Sequence, residues 1–320
     1  MRRTLLPLVA LLGGAVALAA PAVAADKVRV GKAVGSMWVF VPMDIGVEQG
    51  IFAKYGLDVE VSTMTGEAKM AQGLTANSLD IGLAGPQGAA LSVKGAPLLG
   101  VAVLTNQPRN FAVVVAADSP IKTVADLKGK QVSGASAGGL PEWLVRHLAV
   151  TQGWGPDGIK SIALGSPSAS LAAVQTHQVD AMMTATATGI SLEEQGKGRI
   201  VTTMGDSVPK FHTEIIFART GFMQDNPDVL KRFLKGVFAS IDFVKKNKDK
   251  TDETAARVLN LSPAIMGKVY DSEISTFSKD GSFDPEALAV LKQSFIDMAI
   301  LPEKPTDDQI ITTKFVPITP

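Results

Sequence analysis

From residue 28 to residue 218 the sequence returns again and again to short apolar runs at strand period, with stretches of helical spacing between most of them. The strand-like runs are 28 to 32, 57 to 62, 80 to 83, 98 to 104, 111 to 116, 131 to 133, 160 to 164, 180 to 183, 199 to 203 and 213 to 218. Such alternation predicts an α/β fold, because a parallel pair of strands needs a long connection that a helix supplies. The stretch "SLDIGLAGPQ" (78 to 87) shows the local logic. Leu79, Ile81 and Leu83 alternate with Asp80 and Gly82, and Gly85-Pro86 stops the run before a helix opens at Gln87. The stop reads as the carboxyl end of a strand, the edge at which open α/β sheets bind ligands.

After residue 218 the rhythm changes to consecutive helices. In "NPDVLKRFLKGVFASIDFVKKNKDK", Val229, Leu230, Phe233, Leu234, Val237, Phe238, Ile241 and Val244 form one apolar stripe. Asn226 is expected to cap this helix, with Pro227 in its first turn. Ser262-Pro263 and Asp284-Pro285 repeat the device, which predicts three or four capped helices in the last third. Lys245, Lys246, Lys248 and Lys250 read as a solvated helix end favoured by the dipole.

The first 25 residues carry Arg2 and Arg3, an apolar run and the small-residue exit Ala22-Val23-Ala24. They read as a secretory signal peptide (1 to 25), so a periplasmic protein is expected. With no cysteine anywhere, a lipid-anchored Cys at the cleavage point, disulfides and thiolate metal sites are all excluded, so the exported chain is expected to be soluble. The three histidines form no i, i+4 pair, and no metal or cofactor is expected. Lys plus Arg and Asp plus Glu number 31 each, which gives no reason to expect nucleic acid as a partner.

No flexible linker interrupts the mature chain, so two domains must be joined by segments that pass between them. The apolar β-rich segments at 110 to 120 and 213 to 220 are the candidates, and they bracket a block of domain size. One domain is then discontinuous: 26 to 111 with 218 to 320 as the first lobe, and 112 to 217 as the second.

Five stretches resemble the substrate-binding proteins of ABC importers in the nitrate, sulfonate and taurine group, type II periplasmic binding proteins. They are "VPMDIGVEQGIFAKYGLDVEV", "GLTANSLDIGLAGPQGAA", "SPIKTVADLKGKQVSGASAGG", "ASLAAVQTHQVDAMM" and "NPDVLKRFLKGV", in the family's order. The resemblance implies a two-lobe α/β fold with two crossover hinge strands, closing as a monomer on a small-molecule ligand. It also implies an ABC permease and its ATPase as partners. A protein that presents its ligand to a membrane sensor is an alternative. An enzyme like the pyrimidine synthases of thiamine biosynthesis is another, although those resemble a cysteine-rich cytosolic variant.

Within that topology, Ser136, Ala137, Gly138 and Gly139 lead from a strand into a helix with Pro141 in its first turn, which would leave free N–H groups as an anion site. Ser36, Met37 and Trp38 follow the first strand, where the Trp could cover an apolar ligand or pack into the fold. Gly85, Pro86 and Gln87 turn the chain at the same edge. Thr184 and Thr186 offer hydroxyls, and Arg109 offers a planar fork suited to a carboxylate or sulfonate. Glu214 reads as structural, or as a group that binds a ligand amine. Together these predict a small organic anion with an apolar body: a sulfonate, a carboxylate or a pyrimidine-like compound.

Overall fold

The computed structural model describes residues 24–35, 37–134, 139–208 and 210–319. Among these, ten strands form two five-stranded mixed sheets, and each of the ten strand-like runs of the sequence falls on one of them.

The first lobe opens with β1 (Asp26–Lys32), α1 (Val41–Glu48), α2 (Ile51–Lys54), β2 (Leu57–Thr63), α3 (Glu67–Thr75), β3 (Ile81–Ala84), α4 (Gln87–Val93) and β4 (Leu98–Thr105). The second lobe holds β5 (Phe111–Ala116), β6 (Gln131–Gly134), α5 (Leu140–Thr151), β7 (Lys160–Ala163), α6 (Pro167–Gln175), β8 (Ala181–Ala185), α7 (Thr186–Glu194) and β9 (Gly198–Thr203). The chain then returns through β10 (Glu214–Arg219), α8 (Thr220–Asp225), α9 (Pro227–Lys246), α10 (Lys248–Leu259), α11 (Pro263–Glu273) and α12 (Pro285–Asp297).

The two sheets share one plan. The first runs β2-β1-β3-β10-β4 and the second β7-β6-β8-β5-β9, with three parallel strands followed by one antiparallel to its neighbours. The carboxyl ends of β1, β3, β6 and β8 therefore lie at the same sheet edges as the amino ends of β10 and β5. Chain polarity alone thus brings Ala84, Gly134, Ala185, Glu214 and Phe111 to the edges where ligands bind in such sheets.

Packing follows the predicted pattern. Leu230, Phe233, Leu234, Val237, Phe238, Ile241 and Val244 of α9 are all buried. Full burial of a side chain such as Phe233 contributes about 1.5–3 kcal/mol. Its ring stacks on Phe52, with centroids 5.6 Å apart. Gly46 admits the Phe52 ring, because a Cβ there would stand 2.5 Å from Phe52 Cε2. Asp80, which opens the "LDIG" run, is buried and accepts hydrogen bonds from Arg29 N, Nε and Nη2 at 2.7–3.0 Å. Arg219 lies 3.5 Å from the same carboxylate, so three strands are tied to one charge.

Three expectations need correction. The segments 110 to 120 and 213 to 220 do not pass between lobes, because β5 pairs only within the second sheet and β10 only within the first. The described residues of the crossings are 106–110 and, on the return, 204–208 with 210–213. Residues 214–217, assigned from sequence to the second lobe, thus belong to the first sheet, and Phe111, assigned to the first lobe, opens β5 of the second. Finally, Asn226 occupies the cap position of α9 without a side-chain capping bond, whereas Ser262 and Asp284 do cap α11 and α12.

The two crossings lie side by side. Phe211 N donates to Asn106 O at 3.2 Å, and Thr213 N to Thr105 O at 3.1 Å. His212 Nε2 accepts from Asp284 N, so Nδ1 carries the proton and donates to Asn106 Oδ1; both distances are 3.1 Å. Burial pushes the His212 pKa down to about 4, which keeps this bridge neutral. No helix among the described residues is long and apolar enough to cross a membrane.

Candidate ligand-binding site

Between the two sheet edges lies a cavity of about 630 Å³, within the range of small-molecule sites. The first lobe contributes Ala33, Val34, Met37 and Phe40 after β1, Glu67 at the start of α3, and Ala84, Gly85 and Gln87 at the β3–α4 turn. The second contributes Phe111 at the start of β5, Gly139, Leu140 and Pro141 at the start of α5, and Pro167 at the start of α6. Met183, Thr184 and Ala185 at the end of β8 and Thr188 of α7 complete that wall, with Glu214 at the start of β10 on the first lobe's side. Most of this surface is apolar, and polar groups are few.

Those polar groups partner one another in an instructive way. The Glu67 carboxyl stands near the backbone N–H groups of Gly85 and Gly88 at the amino end of α4, and both act to lower its pKa. Burial pushes its pKa up to about 7, against the lowering effect of those two donors. Gln87, oriented to satisfy both of its ends, donates from Nε2 to Glu67 Oε1 at 3.2 Å and accepts from Leu140 N at 2.7 Å. This amide spans the cleft, from the start of α4 in one lobe to the start of α5 in the other. Glu214 is buried, and its one side-chain partner among the described residues is Asn110 Nδ2 at a long 3.4 Å. Its carboxyl is raised well above the ordinary value, first by burial and then by the charge of Glu67. The charge of Glu273, also buried, raises it further.

Comparison with known proteins fits this architecture. Residues 39–251, well over half of the chain, match the family described as NMT1/THI5 like. The chain belongs to the NMT1/THI5-like family. This NMT1/THI5-like protein is 25% identical over 276 residues to YtlA of Bacillus subtilis, provisionally named a binding protein, covering 82% of this chain and 78% of YtlA. A provisionally named binding protein of Brucella abortus is 28% identical over 270 residues, covering 80% and 81%. Among solved structures, the periplasmic aliphatic sulphonate binding protein SsuA of Escherichia coli superposes with a TM-score of 0.76 at 21% identity, covering 90% of this chain and 92% of SsuA. The alkanesulfonate-binding SsuA of Xanthomonas axonopodis pv. citri, bound to MOPS, gives 0.74 at 17% identity, covering 91% and 100%. These likenesses establish the two-lobe fold.

In the NMT1/THI5-like chain, the residues singled out from sequence fall into three groups. Met37, Gly85, Gln87, Gly139, Thr184 and Glu214 come together on the cavity wall. Ser36, Ser136, Ala137 and Gly138 lie outside the described residues, as does nearly all of the segment read as a signal peptide. The remaining four are placed elsewhere. Trp38 is 1% exposed, packed edge-on against Tyr270 and tilted against Phe277, because the turn after β1 points it into the first-lobe core. Pro86 is buried behind the wall as the cap residue of α4. Arg109 is turned outward, its Nη2 2.7 Å from Asp206 Oδ1. Thr186 Oγ1 donates to the Arg109 carbonyl at 2.6 Å and so braces the first crossing. Sequence reasoning missed Glu67, Phe40 and Phe111; Glu67 and Phe111 are ordinary first residues of α3 and β5, and Phe40 stands just before α1.

Proposed function

We propose that the protein is a solute-binding protein that encloses a small, largely apolar solute between its lobes and delivers it to an ABC importer. The observation that carries this reading is the cavity itself. Its walls come from both sheets, and two short crossings join the lobes, the arrangement in which hinge closure buries a ligand. Membership of the NMT1/THI5-like family and the binding-protein names of its relatives support the reading. The SsuA neighbours act in the same sense through their fold. Export to the periplasm through residues 1 to 25 belongs to this proposal and rests on the sequence pattern described above.

The test combines native mass spectrometry with small-angle scattering of the exported protein. A co-purifying small molecule, recovered unchanged, and a smaller radius of gyration when it is added back are the expected results. A molecule recovered only as a chemically altered product would favour the enzyme alternative. An unchanged radius with every bound solute would refute closure.

A further inference from the structure

We propose that the cavity selects a solute whose polar end is a positively charged nitrogen group, an amine or amidine, seated between the carboxylates of Glu67 and Glu214, with its apolar body against Phe40, Phe111, Met37 and Met183. The inference rests on the solute-binding reading and changes the ligand class expected from sequence.

Three observations on the cavity carry it. First, among the described residues no lysine, arginine or histidine lines the cavity, and Ser36, residues 135 to 138 and Pro209 add no basic side chain by sequence. Lys32, at the end of β1, is buried with Nζ 2.9 Å from both oxygens of Asp44, and Arg109 is paired with Asp206. An anionic ligand would therefore meet two carboxyl groups and no counter-charge.

Second, the protein's own groups stand at two helix starts on the cavity wall. Glu67 stands at the amino end of α4, and the Gln87 amide oxygen accepts the Leu140 N–H at the start of α5. An incoming sulfonate or carboxylate would have to displace them.

Third, Glu214 is 3% exposed, faces the cavity and, among the described residues, has one long side-chain hydrogen bond. A buried carboxyl is costly unless it is paired or neutral, and a cation delivered by the ligand is the partner it lacks. The Phe40 and Phe111 rings beside the cavity also favour a cation over an anion, since aromatic faces carry negative charge density.

Binding of a cation should drive both carboxyl groups to ionise, so protons leave as the ligand enters. The groups facing this pair are the Gly85 and Gly88 N–H groups, Gln87, Asn110 and the Glu273 carboxyl. Only Glu273 among them titrates; burial pushes its pKa up to about 8, so it is largely neutral at pH 6 and adds negative charge in the same direction only as it ionises towards pH 8.

The experiment is calorimetry and thermal shift on the full mature chain. Benzamidine and phenethylamine serve as cations, and benzoate and benzenesulfonate as anions of similar body. The cations are expected to bind and to raise the melting temperature, with affinity increasing from about pH 6 to pH 8. Glu214→Gln and Glu67→Gln should each weaken cation binding by about tenfold or more. Both variants should melt no lower than the native protein, which separates lost binding from lost folding.

Anion binding without cation binding overturns the inference and leaves the solute-binding reading standing. Cation binding that is equally tight in both variants overturns it too, because the carboxylates would not be the partner. Silence from all four probes also overturns it, and solute binding is then decided by co-purification and closure.

Discussion

Replacing Glu273 by glutamine should remove a loss of stability that the native protein suffers between acid and neutral pH. The carboxyl is 2% exposed, and its Oε2 has no hydrogen-bond partner among the described residues. Burial pushes its pKa up to about 8 from an ordinary 4.5. Between those values the unfolded chain releases a proton that the folded chain retains, so stability falls as pH rises through that window. At pH 7 the loss is about 3 kcal/mol for this one group, and at pH 4.5 it is under about 0.5 kcal/mol. Glutamine does not titrate, so the variant escapes the loss. An amide left without an acceptor can cost about 1–3 kcal/mol, but that cost is the same at every pH. The quantity to read is therefore the change with pH, not the absolute value. Urea unfolding of both proteins at pH 4.5 and pH 7 measures it, and the variant should gain about 2–4 kcal/mol relative to native between the two. Parallel stability profiles would refute the reasoning and show that Glu273 ionises freely in the folded protein.

Other outcomes follow from the same coordinates. His212, with its folded pKa down to about 4, adds stability that is complete above about pH 6.5 and is lost as pH falls towards 4. His212→Gln should remove roughly 3 kcal/mol of that acid-side loss, read from the slope of melting temperature against pH. Asp80→Asn strips the charge facing Arg29 and Arg219 and should cost about 3–5 kcal/mol in urea unfolding; a loss below about 1 kcal/mol would show that the pair is not energetically buried. Gly46→Ala forces a methyl against the Phe52 ring and should cost about 1–3 kcal/mol with an unchanged far-ultraviolet spectrum.

The strands and helices were legible in the sequence because their patterns are local. Alternation in "LDIGLA" and the stripe from Leu230 to Val244 each report one buried face, and burial is what the structure shows. The crossings were misplaced because β5 and β10 are apolar on both faces. That pattern marks a central strand equally well in either lobe and says nothing of which sheet will pair with it. In the cavity, backbone positions such as Gly85 and Gly139 were legible, since a strand-end glycine before a helix announces its place. Side-chain direction was not. Trp38 and Phe40 are two residues apart after the same strand, and only packing against Tyr270 and Phe277 decides that the Trp turns inward while the Phe faces the cavity. Glu67 was invisible for another reason. An acid at the first position of a helix is what the dipole favours anywhere, so nothing in "TGEAKM" distinguishes a cavity wall from an exposed helix start.

The contrast between the anion site suggested by "SGASAGGLPEWL" and the acidic cavity leads to a reversal that can be engineered. The amino end of α5 keeps its capacity to hold an anion, but the Gln87 oxygen at 2.7 Å from Leu140 N occupies it, and Glu67 stands beside Gln87 at 3.2 Å. In the double variant Gln87→Ala/Glu67→Gln the plug and the nearer negative charge are both removed. Leu140 N is then free for a ligand oxygen, and a hydrogen bond to a charged acceptor contributes about 1.5–3 kcal/mol, against about 0.5–1.5 kcal/mol for the neutral amide it replaces. Losing the Glu67 charge also removes repulsion at a few ångströms in a partly desolvated site, so the two changes act in the same direction. Benzenesulfonate affinity should rise by about tenfold or more over the native protein while benzamidine affinity falls, both measured by calorimetry at pH 8. The single variant Gln87→Ala should show a smaller gain for the sulfonate, because Glu67 still opposes it. If the double variant binds benzenesulfonate no better than the native chain, the α5 terminus is not a latent anion site, and the acidic character of the cavity does not depend on that plug.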